Sequence, residues 1–341
     1  MSRGATLVTG AAGFIGSFVA QRLLARGDRV IGLDDLNAYY DPALKQTRLA
    51  QLQSQSQFTF EKADICDSTN IQRIFGQHRI ENVVHLAAQA GVRHSITHPQ
   101  DYIDSNVTGF LNILQAVRAR PVRHLVYASS SSVYGANIKL PFSEADRVDR
   151  PVSLYAATKR VNEAMAYVYS LQFDVPATGL RFFTVYGPWG RPDMATFKFT
   201  QAILSNQPID VYNHGDMRRD FTYVDDIVDG VIKIVDRVPA KDADGVQHRV
   251  FNIGNHRSEP LLRFISVLSD ALGRKAEMRF LPMQMGDVKE TFADISDLSR
   301  EYGWAPTTTI DAGLPRFVRW YEEYYGTSGE SKPRLHQDRL S

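Results

Sequence analysis

The sequence predicts an α/β fold with a doubly wound parallel sheet, and three observations lead to this prediction. Short runs rich in Val, Ile and Leu alternate with amphipathic stretches over the first half of the chain. These runs are almost wholly apolar, as parallel strands are when helices cover both faces of their sheet. A glycine-rich turn at residues 10–16 follows the first run and opens an amphipathic stretch.

Six strands are predicted in the first half of the chain. Their ranges are 5–9, 29–33, 58–60, 82–87, 124–128 and 177–182. The first helix follows the glycine-rich turn, because Ile15, Val19 and Leu23 fall on one helical face and Gly27 is a typical helix stop.

Further helices are predicted along the chain. Asp67 is placed to cap a helix that contains residues 71–75, and Pro99 begins a helical pattern that continues to residue 119. Two more helical patterns come late, at 260–272 and 311–325.

The pattern changes after about residue 183, where the alternation weakens and Pro, Trp and Arg become more frequent. This change predicts a dinucleotide-binding domain at 1–181 and a smaller, partly interleaved α/β substrate domain at 182–326, with some segments returning to the first domain. Residues 327–341 are polar and aperiodic, which predicts a frayed tail.

The charges of the chain nearly balance, with 39 Lys and Arg against 38 Asp and Glu. This balance excludes binding of nucleic acid or an anionic membrane by a bulk positive field. The single cysteine, Cys66, excludes a disulfide framework, and the Cys and His spacing predicts no metal site. We expect a cytoplasmic protein without a membrane span, because there is no cationic start before an apolar stretch and no run of about 18 apolar residues.

The glycine-rich turn predicts a phosphate site. Gly10, Gly13 and Gly16 permit a tight turn, close approach of the backbone to a pyrophosphate and close packing of helix on strand, while Phe14 and Ile15 begin the helix. The spacing is GxxGxxG, and a lone glycine pattern has low specificity. An ordinary strand-to-helix turn therefore remains the alternative.

Asp34 narrows the choice of ligand. It follows the second strand, about 20 residues beyond the glycines, where a carboxylate accepts hydrogen bonds from both hydroxyls of an adenosine ribose. The same carboxylate would repel a 2′-phosphate, and no Arg stands beside it, so the sequence favours NAD over NADP. Asp35 is the alternative, since a shift of one residue in the strand end would exchange the two.

Tyr155 and Lys159 lie four residues apart in a stretch with helical character, so both side chains project from one face. An ammonium beside a phenol lowers the pKa of the phenol, which can then take a proton from a sugar hydroxyl while a hydride leaves to NAD. A YxxxK pattern arises easily by chance in a chain with 15 Tyr. A second signal is the serine-rich segment 129–132, which ends the fifth strand on the sheet edge of the glycine-rich turn.

Together these motifs resemble the extended short-chain dehydrogenase/reductase family of nucleotide-sugar enzymes, from residue 5 to about residue 325. The matching segments are TGAAGFIGS (9–17), HLAA (85–88), SSSSVYG (129–135), YAATK (155–159) and RRDFTYVDD (218–226). Within the family, the chain most resembles UDP-glucuronate 4-epimerases through AAQAGVRHS (87–95), PVSLYAATK (151–159) and RFFTVYGPWGRPDMA (181–195). The resemblance implies a Rossmann domain that binds NAD and a smaller domain that binds a UDP-sugar.

The resemblance also implies roles for single residues. Tyr155 would be the catalytic base, Lys159 would tune it and anchor a ribose, and Ser130 would be its hydroxyl partner. Further residues would line NAD from the adenine to the nicotinamide: Asp64, Ile65, Leu86, Ala87, Ala88, Asn106, Ser129 and Phe183. The UDP-sugar would meet Thr184 and Arg191 at the sugar, Ser130, Ser131 and Ser132 beside it, Arg219 at the diphosphate, Tyr212 near the uracil, and Arg93 as a further anion-binding residue.

Gln284 departs from the family pattern, because many relatives place there an arginine that meets the diphosphate. One of the two expected phosphate arginines is therefore missing at this position. For the arginines that are present, and above all for Arg93, a surface charge or a structural ion pair is the alternative.

The implied reaction is a redox-neutral 4-epimerisation of UDP-glucuronate to UDP-galacturonate through a 4-keto sugar. Related dehydratases and decarboxylases place an acidic residue beside the strand-end hydroxyl, whereas Ser131 and Ser132 follow it here. Two alternatives remain: 4-epimerisation of a neutral UDP-sugar such as UDP-glucose or UDP-N-acetylglucosamine, which Arg191 disfavours, and a non-catalytic dinucleotide-binding protein, which the presence of Tyr155 and Lys159 disfavours. The resemblance further implies a homodimer formed through helices at 100–118 and 153–173.

Overall fold

A computed structural model describes residues 4–284 and 286–326, and the predicted tail at 327–341 lies outside the described residues. The strands are β1 (Ala5–Thr9), β2 (Val30–Asp34), β3 (Phe58–Lys62), β4 (Ile80–His85), β5 (His124–Ser130), β6 (Ala177–Phe182), β7 (Thr184–Tyr186), β8 (Ile209–Val211), β9 (Arg218–Tyr223), β10 (His248–Ile253), β11 (Ser258–Pro260) and β12 (Met278–Phe280). The helices are α1 (Phe14–Ala25), α2 (Pro42–Gln53), α3 (Ser68–Gln77), α4 (His94–Thr97), α5 (Pro99–Tyr102), α6 (Phe110–Ala119), α7 (Leu154–Phe173), α8 (Ala195–Leu204), α9 (Val224–Asp236), α10 (Leu261–Leu272), α11 (Ser296–Tyr302) and α12 (Ile310–Tyr325).

A seven-stranded parallel sheet forms the centre of the molecule, in the order β10-β6-β5-β4-β1-β2-β3. Neighbouring residues of each strand face opposite sides: Leu7 and Val83 belong to one buried cluster, and Val8 and Val84 belong to the other. Residues of α1 and α9 join one cluster, and residues of α3, α6 and α7 join the other. The predicted doubly wound parallel sheet is confirmed.

The six predicted strands are all present, with small differences at their ends. β4 ends at His85, two residues early, because the Thr9 hydroxyl accepts hydrogen bonds from the amides of Leu86 and Ala87 and disrupts the regular ladder there. β5 instead continues to Ser130. Both differences fall on the carboxyl edge of the sheet.

The helical pattern predicted from Pro99 to residue 119 is continuous but not uniform. Between α5 and α6 the residues Ile103–Gly109 are wound as a π-helix. A Cβ at Gly109 would lie 2.6 Å from the side chain of Ile65, so the wider winding brings the backbone against the loop after β3. π-helical turns are often found beside functional sites.

Sequence analysis does not predict α2, although its start carries two readable signals. Asp41 accepts a hydrogen bond from the Ala43 amide, and Pro42 occupies the first turn. The helix escapes notice because its buried face includes the charged residues Lys45 and Arg48, which break the apolar pattern.

The second part of the chain contributes a three-stranded sheet, β11-β9-β7, and a pair, β12-β8. From this region the chain returns to the central sheet, where β10 pairs in parallel with β6. None of the helices in the described ranges is long and apolar enough to cross a membrane. Within the same ranges, no group of three His, Cys, Asp or Glu is arranged to hold a metal ion.

Candidate active site

A cavity of about 1140 Å³ runs along the carboxyl edge of the central sheet. It extends from the glycine-rich turn past the ends of β4, β5 and β6 to α8 and the start of β9. Of the predicted site residues, Asn106 does not lie on its wall. The wall includes Gly10, Gly13, Phe14, Ile15, Gly16, Asp34, Asp64, Ile65, Leu86, Ala87, Ala88, Arg93, Ser129, Ser130, Ser131, Ser132, Tyr155, Lys159, Phe183, Thr184, Arg191, Tyr212 and Arg219.

The glycine-rich turn has the geometry of a phosphate site. Gly10 has φ +71°, and a Cβ there would lie 2.9 Å from the amide nitrogen of Ala87. A Cβ at Gly16 would lie 2.0 Å from the Gly10 carbonyl oxygen, so only glycine allows α1 to pack this closely on the turn. Gly13 precedes α1 and has no side chain that could cap the first amides of the helix. The open N-terminus of α1 fits the pyrophosphate of a dinucleotide.

Asp34 is buried at the end of β2, beside the glycine-rich turn. Its carboxylate accepts hydrogen bonds from two backbone amides, at 2.9 and 3.0 Å. Burial raises the pKa of Asp34, and the charge of Lys45 opposes this effect. Asp35 bonds instead to exposed Asn37, so the structure favours Asp34 for the ribose hydroxyls.

Asn106 supports the cavity from behind its wall. Its side-chain amide exchanges hydrogen bonds of 2.8 and 3.0 Å with the backbone of Gln89 and donates to the Thr158 hydroxyl at 3.0 Å. These bonds hold the loop after β4 against α7. Asn106 lies outside the wall of the cavity, and its contact with the cofactor stays a prediction.

Tyr155 lies in the first turn of α7, opposite the end of β5. Ser153 starts the helix by accepting a hydrogen bond of 3.1 Å from the Ala156 amide. The pKa of Tyr155 is raised, because the effect of burial outweighs the opposing effects of the Ser130 hydroxyl and the charge of Arg191. The phenol is therefore placed beside one proton-exchanging hydroxyl and one fixed positive charge.

Lys159 is buried one turn further along α7. Its ammonium donates a hydrogen bond of 2.9 Å to the carbonyl of Ala128, and burial lowers its pKa to about 8. Sequence analysis expects Lys159 to lower the pKa of Tyr155. In the structure burial raises the pKa of Tyr155, and the Ser130 hydroxyl and the charge of Arg191 oppose this rise, while the Lys159 ammonium donates to the carbonyl of Ala128 in β5.

A buried hydrogen-bond network ties α7 to the strand that carries Ser130. Glu163 accepts a 2.6 Å hydrogen bond from the Ser129 hydroxyl and forms an ion pair with Arg181 of β6 at 2.8 and 2.9 Å. Arg181 also donates to the hydroxyl of Tyr134 at 3.0 Å. Ser129 thus lies on the cavity wall while its hydroxyl anchors the wall to α7.

Arg191 reaches the cavity from the loop after β7. Its Nε and Nη2 donate to the carboxylate of Asp193, at 2.9 Å for Nε, and the Tyr39 hydroxyl donates to the same carboxylate at 3.3 Å. The bond and charge of Asp193 raise the pKa of Arg191 despite its burial. Arg191 is therefore a permanently charged group held in a fixed orientation.

Two further arginines converge at the far end of the cavity. Asp287 lies 3.3 Å from Arg219 and 3.6 Å from Arg93, measured between side-chain nitrogen and oxygen. The guanidinium of Arg93 also covers the ring of Tyr212, 5.2 Å from its centroid. Gln284 is not on the cavity wall, so the second positive charge at this end comes from Arg93.

Sequence analysis missed several residues of the cavity wall. Tyr39 lies before α2 and Lys45 lies within it. Asp193 comes two residues after Arg191, and Asp287 comes three residues after Gln284. Asp41 and Pro42 would have revealed α2 and with it Lys45. The short spacing between Arg191 and Asp193 was the readable signal for their ion pair.

Known proteins resemble this chain over most of its length. The model of the NAD dependent epimerase/dehydratase family matches residues 6–254. Protein CapI of Staphylococcus aureus is 50% identical over 330 residues, which cover 94% of this chain and 98% of that protein. UDP-glucuronate 4-epimerase 3 of Arabidopsis thaliana is 47% identical over 330 residues, which cover 94% of this chain and 76% of that protein.

A solved structure extends the likeness to three dimensions. The UDP-glucuronic acid 4-epimerase from Bacillus cereus, in complex with UDP-glucuronic acid and NAD, has a TM-score of 0.85 and 33% identity, and the match covers 94% of this chain and 100% of that one. The resemblance drawn from the motifs is thereby confirmed. The chain belongs to the NAD dependent epimerase/dehydratase family.

Proposed function

We propose that this protein is an NAD-dependent UDP-glucuronate 4-epimerase, which interconverts UDP-glucuronate and UDP-galacturonate. The observation that carries the proposal is the convergence of Tyr155, Ser130 and Arg191 in one cavity that also contains a dinucleotide turn. The names of its relatives in Arabidopsis thaliana and Bacillus cereus support the same activity. Bound NAD supplies reversible hydride transfer at C4 of the sugar, so the overall reaction is redox-neutral.

Tyr155 acts as the base for the 4-hydroxyl of the sugar. It takes the hydroxyl proton as the 4-keto sugar forms and returns it after the sugar has turned over in the site. The Ser130 hydroxyl, which lowers the pKa of Tyr155, is placed to pass this proton or to orient the sugar hydroxyl. Lys159, on the same face of α7, would donate to a ribose hydroxyl of the dinucleotide.

Arg191 binds the C6 carboxylate, together with the hydroxyls of Ser131, Ser132 and Thr184. Its bonds to Asp193 use Nε and Nη2, which leaves Nη1 for the substrate. Firm binding matters because 4-keto glucuronate is a β-keto acid that readily loses carbon dioxide. The residues that follow Ser130 are serines, so no carboxylate at these two positions assists elimination.

Arg93 and Arg219 bind the diphosphate. Both line the cavity beside Tyr212, which stacks near the uracil. In this arrangement residues 1–181 hold mainly the dinucleotide, and residues 182–326 hold mainly the UDP-sugar, with β10 returning to the central sheet.

We also propose a homodimer that works in the cytoplasm. The π-helical segment, α6 and α7 pack against one another, and each exposes apolar side chains: Ile103, Leu111, Val161, Tyr167, Val168 and Leu171. Pairing of this face with a second copy would remove these side chains from water. The cytoplasmic location rests on the single cysteine and on the use of a nucleotide-activated sugar with NAD.

The test is incubation of the purified protein with UDP-glucuronate, without added NAD and then with it, followed by chromatography of the products. Formation of UDP-galacturonate is expected. Formation of UDP-xylose, or no turnover when NAD is supplied, would refute the proposal. Faster conversion of UDP-glucose than of UDP-glucuronate would assign the neutral sugar instead.

A further inference from the structure

Arg48 of α2 is 1% exposed, and its polar partners are neutral groups. Nη1 donates to the carbonyl of Ala12 at 3.1 Å and to the Tyr40 hydroxyl at 2.7 Å. Nη2 donates to the carbonyls of Trp189 and Gly190, the latter at 3.1 Å. A buried guanidinium is costly unless its hydrogen bonds are made, so these four bonds fix the relative positions of the groups they join.

These bonds connect two turns that meet the cavity at different points. Ala12 belongs to the glycine-rich turn that receives the dinucleotide. Trp189 and Gly190 form the turn that directly precedes Arg191. One planar side chain therefore ties the cofactor turn to the segment that carries the carboxylate-binding arginine.

The turn before Arg191 also has a strained backbone. Trp189 has φ +60°, in the left-handed region that residues with a Cβ rarely occupy. Two contacts hold it there: the bond from Arg48 to its carbonyl, and the packing of its indole on Trp320 and Tyr324, with ring centroids 5.2 and 5.0 Å apart. The Gly190 amide also donates to the Gly187 carbonyl at 3.1 Å and closes the turn. Loss of Arg48 would remove the hydrogen bonds to the carbonyls of Trp189 and Gly190, which directly precede Arg191.

We infer that Arg48 is a positioning residue for Arg191, which holds the turn at Trp189 and Gly190 so that the arginine meets the sugar carboxylate. The inference rests on the proposed function, in which Arg191 binds that carboxylate. Arg48 itself does not line the cavity, so we expect no contact between it and the sugar. Its removal should therefore weaken recognition of the glucuronate group and leave recognition of UDP by Arg219 and Tyr212 intact.

The test compares Arg48→Met with wild type by calorimetric titration of UDP-glucuronate and of UDP. We expect the affinity for UDP-glucuronate to fall about tenfold and the affinity for UDP to stay within about twofold, because a small misplacement of one charged group is enough for such a loss. Arg22→Met is the matched control, since Arg22 is a half-exposed arginine of α1 paired with exposed Asp229. An unchanged affinity for UDP-glucuronate, or an equal loss for both ligands, would overturn the inference.

A second variant keeps the test decisive if methionine disturbs folding. In Arg48→Ala, added guanidinium at millimolar concentration should restore the affinity for UDP-glucuronate, whereas urea, a neutral molecule of the same shape, should not. Equal effects of the two additives would refute the positioning role. Wild-type turnover is measured alongside, and its absence would refute the proposed function separately from the Arg48 result.

Discussion

At the scale of single residues, the proposed reaction depends on the phenol of Tyr155. Burial raises the pKa of Tyr155, and Ser130 and Arg191 act against this effect. Binding of an anionic sugar at Arg191 would weaken the contribution of that charge, so the Ser130 hydroxyl and the cationic nicotinamide ring become more important in the complex.

The replacement Tyr155→Phe tests the base directly. We expect turnover to fall by about 10³-fold or more, because the acid–base group is removed, while NAD stays bound through the glycine-rich turn and Lys159. The measurement is product formation together with the NAD content of the purified variant. Tyr302→Phe, which removes a phenol hydroxyl that lies outside the cavity and donates to the Arg237 carbonyl, is the control and should keep its activity. Substantial turnover by Tyr155→Phe would contradict the assigned role.

Lys159 gives a prediction about pH. Burial lowers its pKa to about 8, so the side chain is charged below pH 8 and loses its proton above it. A charged donor holds the ribose better than a neutral one, so the affinity of NAD-free protein for NAD should fall as the pH rises from 7 to 9.5. Titration of NAD at several pH values measures this, and Lys159→Met should bind weakly without the step near pH 8. If the change in NAD affinity near pH 8 persists in Lys159→Met, another group titrates there.

At the scale of elements, the packing of α1 on β1 determines the phosphate site. A Cβ at Gly16 would meet the carbonyl oxygen of Gly10 at 2.0 Å, which is far inside contact distance. The helix start and the turn therefore cannot both keep their places if residue 16 has a side chain. This steric limit gives the glycine pattern its specificity, which the sequence spacing alone does not provide.

Gly16→Ala should lose bound NAD and lower the melting temperature. Gly76→Ala is the control, because glycine 76 lies inside α3 with only the Arg120 side chain near it, at 3.6 Å, and alanine favours a helix. The measurements are NAD content and thermal unfolding of both variants. Full NAD occupancy in Gly16→Ala would show that the turn does not hold the pyrophosphate.

The packing of each element explains why some strands and helices were predicted from the sequence and others were missed. β1, β4 and β5 are buried on both faces, so their apolar runs stand out in the sequence. α2 was missed because its buried face mixes leucines with Lys45 and Arg48, and the hydrogen bonds that allow these two charged side chains to be buried form only in the folded structure. β10 was missed because its first three residues are only partly buried, at the edge of the sheet.

At the scale of the whole molecule, the proposed dimer can be tested through α7. Leu171 is 51% exposed on the apolar face that we assign to the partner copy. Leu171→Arg should place a charge in that interface and convert the dimer to a monomer, as measured by light scattering after size exclusion. Ile138→Arg, at a position that is 94% exposed and outside α6 and α7, should leave the mass unchanged. A monomeric wild type would end the proposal.

The sequence by itself determined the parallel sheet, the glycine-rich turn and the placement of Tyr155 and Lys159 on one helical face, because these features depend on local spacing and on the apolar character of buried strands. It did not distinguish Asp34 from Asp35. Only the tertiary structure decided which groups act on one another. It directed Lys159 at the backbone of Ala128, withdrew Asn106 behind the wall, brought Arg93 beside Arg219, and joined the turns at Ala12 and Trp189 through Arg48. Charges and hydrogen bonds act over a few ångströms in space, and residues far apart in the chain reach that distance only after the sheet and its crossovers have formed.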